Sequence, residues 1–161
     1  MSTAIIRHGV SLQEVNASTV RSITCLRVAP EQENYVASNA VSIAEAYFHR
    51  EAWFRSIHSD GVPVGFVMLR DSTLLDPAPT PSQLSLWRFM IDSRFQKAGL
   101  GRKALELVAA HARNRPGVSA MHTSYVAGPY SPADFYLSFG FRHTGETKSN
   151  GEVGLVLELK Y

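Results

Sequence analysis

The residues best suited to chemistry stand in Gln96-Lys97-Ala98-Gly99-Leu100-Gly101. Glycines at a helix start let the backbone come close to a ligand, and the first-turn N–H groups have no partner inside the helix. The helix dipole adds positive potential, so such a turn can bind an anion. Residues 93–115 hold six Lys or Arg (Arg94, Lys97, Arg102, Lys103, Arg113, Arg115) against one acid, Glu106. A solvated helix with a tight entry turn is the plainer reading; the basic flank and a preceding buried strand favour a phosphate.

Three glycine patterns compete for that phosphate. A P-loop needs a Lys and a Ser or Thr directly after its last glycine, whereas Arg102-Lys103-Ala104 follows Gly101 and offers no hydroxyl for magnesium. A dinucleotide fingerprint fits Gly99-x-Gly101-x-x-Ala104 in form, but it requires an acid about 20 residues on to hold the ribose. No Asp or Glu stands between Glu106 and Asp134, and the six residues Ser93 to Ala98 intervene before the first glycine. The third pattern is Gln-x-x-Gly-x-Gly, matched by Gln96, Gly99 and Gly101. With it the chain resembles the GCN5-related N-acetyltransferases (the GNAT superfamily), whose loop cradles the pyrophosphate of acetyl-CoA. Leu86-Trp87-Arg88-Phe89-Met90-Ile91-Asp92 further resembles the bacterial diamine (spermine and spermidine) acetyltransferases.

The resemblance implies an acetyl-CoA site made of Met90, Ile91, Asp92, Gln96, Lys97, Ala98, Gly99, Leu100, Gly101, Arg102 and Ser131, with a backbone N–H near Met90 or Ile91 for the thioester oxygen. A second motif, Ala133-Asp134-Phe135-Tyr136-Leu137-Ser138-Phe139-Gly140-Phe141, is similar to the family's C-terminal signature. Its Tyr is the general acid in many members, which implies that role for Tyr136. A free thiol has a pKa of about 8.5 and a phenol one of about 10, so a neutral phenol can donate as the CoA sulfur gains charge. Many relatives carry an Asn about three residues before the motif's Ala; this chain has Tyr130 there, and Ser131 is expected to replace its contact. His122, Asp92, Glu45 and Glu51 are candidates for the base, through a water. Residues 31–60 hold Glu31, Glu33, Glu45, Glu51 and Asp60 among Tyr35, Tyr47, Phe48, Trp53 and Phe54. Arg50 and Arg55 stand against these acids; the resemblance implies that the first two helices form the acceptor wall, and a mildly acidic, aromatic wall suits a cationic amine such as a polyamine. A different small amine, a protein amine or a non-catalytic acetyl-CoA sensor stays open.

Several elements must position these groups. Leu84–Ile91 reads as a buried strand, with Trp87, Phe89 and Ile91 on one face and Leu84, Leu86 and Met90 on the other. Arg88 interrupts its apolar run. Leu100, Ala104, Leu107, Val108 and His111 recur at helical spacing until Pro116-Gly117. Upstream, residues 4–10 read as a strand, Ser11 as the cap of a turn, and residues 15–28 and 34–48 as helices. Trp53–His58 and Val62–Arg70 read as a hairpin through Asp60-Gly61. Downstream, residues 119–126 read as a strand. Ser131 is the expected cap of a short helix ending at Gly140, and residues 141–146 and 152–160 close a hairpin through Asn150-Gly151.

This order implies an α/β fold in one domain over residues 1–161, with a mixed twisted sheet of six to seven strands and helices on both faces. The resemblance places a splay between the fourth and fifth strands. It also implies a possible homodimer, for which Val153–Leu159 is the expected edge strand. The net charge of +2 is too balanced to point to nucleic acid. No stretch approaches membrane-spanning length, no secretory leader is visible, and the single Cys25 fits a reducing compartment, so the expected location is cytoplasmic. The six His show no metal-ligand spacing, and no metal is expected.

Overall fold

The computed structural model describes residues 5–7, by backbone alone, and residues 9–160. Among these, eight strands form one sheet: β1 (Ile5–Arg7), β2 (Val10–Gln13), β3 (Ala52–Ser59), β4 (Val62–Asp71), β5 (Leu84–Ile91), β6 (Ala120–Tyr125), β7 (Arg142–Thr147) and β8 (Val153–Glu158). Their order across the sheet is β1-β2-β3-β4-β5-β6-β8-β7. Every neighbouring pair is antiparallel except β5 with β6. The helices are α1 (Val20–Thr24), α2 (Asn39–Ala46), α3 (Leu100–Arg113) and α4 (Ala133–Phe139).

The expected mixed sheet with helices on both faces is present. Its strand number rises to eight because the first expected strand is a hairpin turning through Gly9 (φ +79°). Residues 4 and 8 of that expected strand lie outside the described residues. Ser11 sits within β2 and caps no turn. β3 and β4 join through Asp60 (φ 47°) and Gly61 (φ 81°), two successive positive φ values of the kind a tight two-residue hairpin needs.

Both N-terminal helices are shorter than their periodicity predicts. The Asn16 side chain accepts the N–H of Ser18 (2.9 Å), and the Asn16 N–H is held by the Thr19 hydroxyl (3.0 Å). These local bonds compete with helix and delay α1 to Val20. A 3-10 turn occupies Pro30–Tyr35, and Val36 is extended (φ −149°). α2 then starts where the Ser38 hydroxyl accepts the N–H of Val41 (3.2 Å).

Two cores sandwich the sheet. On one face Leu105, Val108 and Ala112 of α3 pack against Leu12, Ile57 and Val67. On the other, Ile23 and Leu26 cover Phe66, Met68 and Met90. β5 departs from simple alternation: Met68 pairs with Arg88 and Leu69 with Leu86, which leaves Trp87 as an extra, bulged residue. The expected faces are therefore corrected. Leu84, Leu86, Phe89 and Ile91 all belong to the α3 core, whereas Trp87 and Met90 belong to the α1–α2 core. The expected edge is corrected too: β8 is paired with both β6 and β7, so the outer strand on that side is β7.

Candidate functional site

The site begins where two strands part. β5 and β6 share only the pairs Leu84 with Met121 and Ser85 with His122. The hydroxyl of Thr123 then donates to the Leu86 carbonyl (3.0 Å), and beyond that rung β6 stays paired with β8 while β5 leaves at its bulge. An open cleft of about 1110 Å³ fills the gap, so the expected splay is present. The backbone of Ile91 faces it. Asp92 donates its N–H to Val64 on β4 (2.8 Å), but the Ile91 carbonyl accepts from Gln96 Nε2 (2.8 Å). One residue's N–H and C=O leave a strand on the same side, so the Ile91 N–H also points away from β4.

The glycine loop forms one end of the cleft. Lys97 (φ 63°) and Gly99 (φ 78°) are both left-handed, and Gly99 caps α3 without a side chain. The first bond inside the helix runs from the Lys103 N–H to the Gly99 carbonyl (3.2 Å). The N–H groups of Leu100, Gly101 and Arg102 thus lack helical partners. A methyl group at Gly101 would meet Phe135 and Ile91 at ordinary distances of 3.4–3.6 Å, so internal packing does not require glycine there.

Asp92 braces the loop from outside the cleft. Its carboxylate accepts from the Arg27 N–H (2.9 Å), the Arg94 N–H (3.0 Å) and Arg94 Nε (2.8 Å). Burial alone would raise its pKa, but these bonds outweigh burial and hold it below the ordinary carboxylate value.

Tyr136 reaches the cleft from α4. Its ring lies between Phe135 and Phe141, each at 5.4 Å between centroids, and only 6% of the residue is exposed. Burial pushes the phenol pKa up, and among the described residues no group hydrogen-bonds its hydroxyl. Pro132, not Ser131, is the cap residue of α4. The Ser131 oxygen accepts the Ala133 N–H (3.1 Å), and its hydroxyl proton stays available to a ligand.

The opposite end is built from side chains of several segments. Trp87 carries Arg70 over its ring at 4.1 Å and Arg88 at 5.2 Å. Arg88 is paired with Glu45 (3.1 Å) and Lys148 with Glu152 (3.6 Å). Glu33 and Glu146 line the same cleft and appear in no ion pair among the described residues.

Of the residues expected from the sequence, Met90, Ile91, Gln96, Lys97, Gly99, Gly101, Arg102, Ser131 and Tyr136 line the cleft, while Asp92, Ala98 and Leu100 do not. Among the base candidates only His122 lines it. Glu45 neutralises Arg88, and Glu51, bonded to His49 (3.2 Å), has its pKa lowered chiefly by a backbone hydrogen bond. The expected acceptor wall is corrected as well: of its acids only Glu33 lines the cleft, and of its aromatics only Tyr35. Trp53 stacks on His111 of α3 (4.1 Å), Phe54 packs near Phe66 (6.0 Å), and Tyr47 and Phe48 are exposed. Sequence reading missed Gln32, Arg70 and Glu146; Arg88 had one local signal, a charge inside an apolar strand. Among the described residues no group of three or more His, Cys, Asp or Glu could hold a metal ion, and no helix is long and apolar enough to cross a membrane.

Comparison with known proteins bears on this geometry. The family described as "Acetyltransferase (GNAT) family" matches residues 15–141. The spermine/spermidine N(1)-acetyltransferase of Bacillus subtilis is 27% identical over 153 residues, covering 93% of this chain and 99% of that one. Among solved structures, an acetyltransferase from Thermus thermophilus superposes with a TM-score of 0.68 at 20% identity, covering 93% and 97% of the two chains. An aminoglycoside acetyltransferase in complex with coenzyme A gives 0.73 at 14% identity, covering 92% and 94%.

Proposed function

Given that the chain belongs to the GNAT acetyltransferase family, we propose that it transfers the acetyl group of acetyl-CoA to a primary amine of a polyamine such as spermidine or spermine, by direct attack in a ternary complex. It is an acetyl-CoA-dependent acyltransferase. The observation that carries the polyamine reading is the pairing within one cleft of a backbone anion cradle at Lys97–Arg102 with the carboxylates Glu33 and Glu146. The polyamine acetyltransferase of Bacillus subtilis, similar along nearly its whole length, supports the same choice.

The chain's groups divide the work. The free first-turn N–H groups of α3, with Lys97 and Arg102, hold the pyrophosphate. Ser131 donates to the pantetheine arm. The Ile91 N–H stabilises charge on the thioester oxygen as the amine attacks. Tyr136, kept neutral by burial, donates its proton to the departing sulfur. His122, facing the cleft on β6, takes the amine proton through a water. Glu33 and Glu146 hold the acceptor's other ammonium groups.

The test is product analysis. Spermidine and acetyl-CoA should give acetylated spermidine and free CoA in equal amounts. Bound acetyl-CoA with no acetylated polyamine sinks the proposal. Arg70, which lines the cleft over the Trp87 ring, favours a second reading, a small amine that also carries a carboxylate.

A further inference from the structure

We propose that Gln32 is a positioning residue that ties the acetyl-CoA loop to the acceptor side of the cleft. The inference rests on the acetyltransferase reading above. The 3-10 turn Pro30–Tyr35 crosses the cleft as a strap, pinned at two points. Gln32 makes the first. Its Oε1 accepts from Gln96 Nε2 (2.9 Å) and from the Ala29 N–H (3.3 Å). The second hydrogen of the Gln96 amide goes to the Ile91 carbonyl (2.8 Å). Both donors of that amide and both lone pairs of the Gln32 oxygen are therefore engaged. Gln96 directly precedes the left-handed Lys97 and the cap Gly99, so it moves with the cradle.

Tyr35 makes the second point. It lies so close over Gly128, in the loop between β6 and α4, that any side chain at 128 would collide with its hydroxyl. Glu33 and Asn34 lie between the two pins and line the cleft. The strap's carboxylate is thus placed by a bond to the loop that receives the CoA phosphates. Ordering the loop orders Glu33, and without Gln32 the strap keeps the Tyr35 contact and the packing of Val36 on the second core but loses its bond to the loop. The chain before the strap is anchored independently by the Arg27 N–H on Asp92 (2.9 Å) and the Ser93 N–H on the Arg27 carbonyl (2.8 Å). A change at Gln32 therefore leaves the fold in place.

Backbone hydrogen exchange over residues 30–37 of the full chain, with and without saturating coenzyme A, reads this link directly. In the unaltered protein CoA should slow exchange there about tenfold, the size expected of one well-made hydrogen bond. In Gln32→Ala that slowing should disappear, while calorimetric CoA affinity changes by less than about threefold. Gln32→Glu keeps the acceptor oxygen and should retain the slowing. With spermidine, Gln32→Ala should raise KM for the amine and leave KM for acetyl-CoA in place. Equal slowing in Gln32→Ala and the unaltered protein overturns the link, as does CoA binding without any slowing. Failure of the unaltered protein to bind CoA would instead overturn the acetyltransferase reading, and the strap's role with it. CoA-dependent slowing without spermidine turnover would uphold the strap and remove only the polyamine assignment.

Discussion

At its glycine end the cleft is lined by Gln96, Lys97, Gly99, Gly101 and Arg102 of one short loop, and the free groups there are largely backbone N–H. Elsewhere it is lined by side chains that the fold collects from distant places: Glu33 in the strap, Arg70 on β4, Arg88 on β5, His122 on β6 and Glu146 on β7. A backbone site tolerates side-chain exchange but depends on φ at one or two positions. A side-chain site has the reverse sensitivity. In the proposed reaction the glycine loop holds acetyl-CoA and the scattered side chains select the acceptor.

In the proposed mechanism Tyr136 serves both reactants, so its removal should have the largest effect. Tyr136→Phe should lower kcat by about 10²- to 10⁴-fold near neutral pH, with both KM values little changed. Steady-state rates at saturating acetyl-CoA check this. Because burial raises the phenol pKa, the alkaline side of the pH profile should show no loss of rate from this group below its ordinary value of about 10. An unchanged kcat in Tyr136→Phe would remove the general acid from the account.

Substitutions confined to one end should separate the two KM values. Gly99 has open space around a hypothetical Cβ, so Gly99→Ala is penalised by its φ of 78° alone. A left-handed L-residue costs roughly 1–2 kcal/mol. Urea denaturation should show about that loss, and KM for acetyl-CoA should rise more than KM for the amine. The mirror experiment, Glu33→Gln with Glu146→Gln, should raise KM for spermidine about fivefold, more at low salt, and leave KM for acetyl-CoA unchanged. An equal rise of both KM values in either variant would break the division.

The same contrast explains what was legible in the sequence. The glycine loop and the Tyr136 helix are local, so their residue spacing carried them. The acceptor end depends on pairing between strands far apart in the chain, and no spacing announces that Glu33 and Glu146 share a cleft. The bulge at Trp87 was hidden for another reason. In a strand apolar on both faces, period-two alternation holds no information about which face is which. The short α1 was misread because Asn16, Ser18 and Thr19 bond one another's backbone locally, which overrides a periodic apolar pattern, and α2 because the 3-10 turn Pro30–Tyr35 and the extended Val36 take up its expected start. Gln32 gave no signal because its partner, Gln96, lies 64 residues away.

The smallest effect on activity should come from outside the cleft. His111 stacks on Trp53 beneath α3, and burial, followed by the charge of Arg115, lowers its pKa from 6.5 to about 4. The unfolded chain then binds a proton between those values that the folded chain does not. This group's contribution to stability is therefore complete above about 6.5 and is lost progressively as pH falls toward about 4. His111→Phe should flatten the urea midpoint across that window and leave near-neutral turnover unchanged. An identical slope in both proteins would show that His111 does not set it.

The most direct test of the account is CoA release from acetyl-CoA against spermidine, spermine, putrescine, an aminoglycoside and a lysine peptide. Spermidine and spermine should turn over rapidly, and the aminoglycoside and the peptide much more slowly. Turnover of the aminoglycoside or the peptide with none for the polyamines would contradict the acceptor assignment. Tight acetyl-CoA binding with no turnover of any amine would contradict the claim that this cleft transfers acetyl groups to such acceptors.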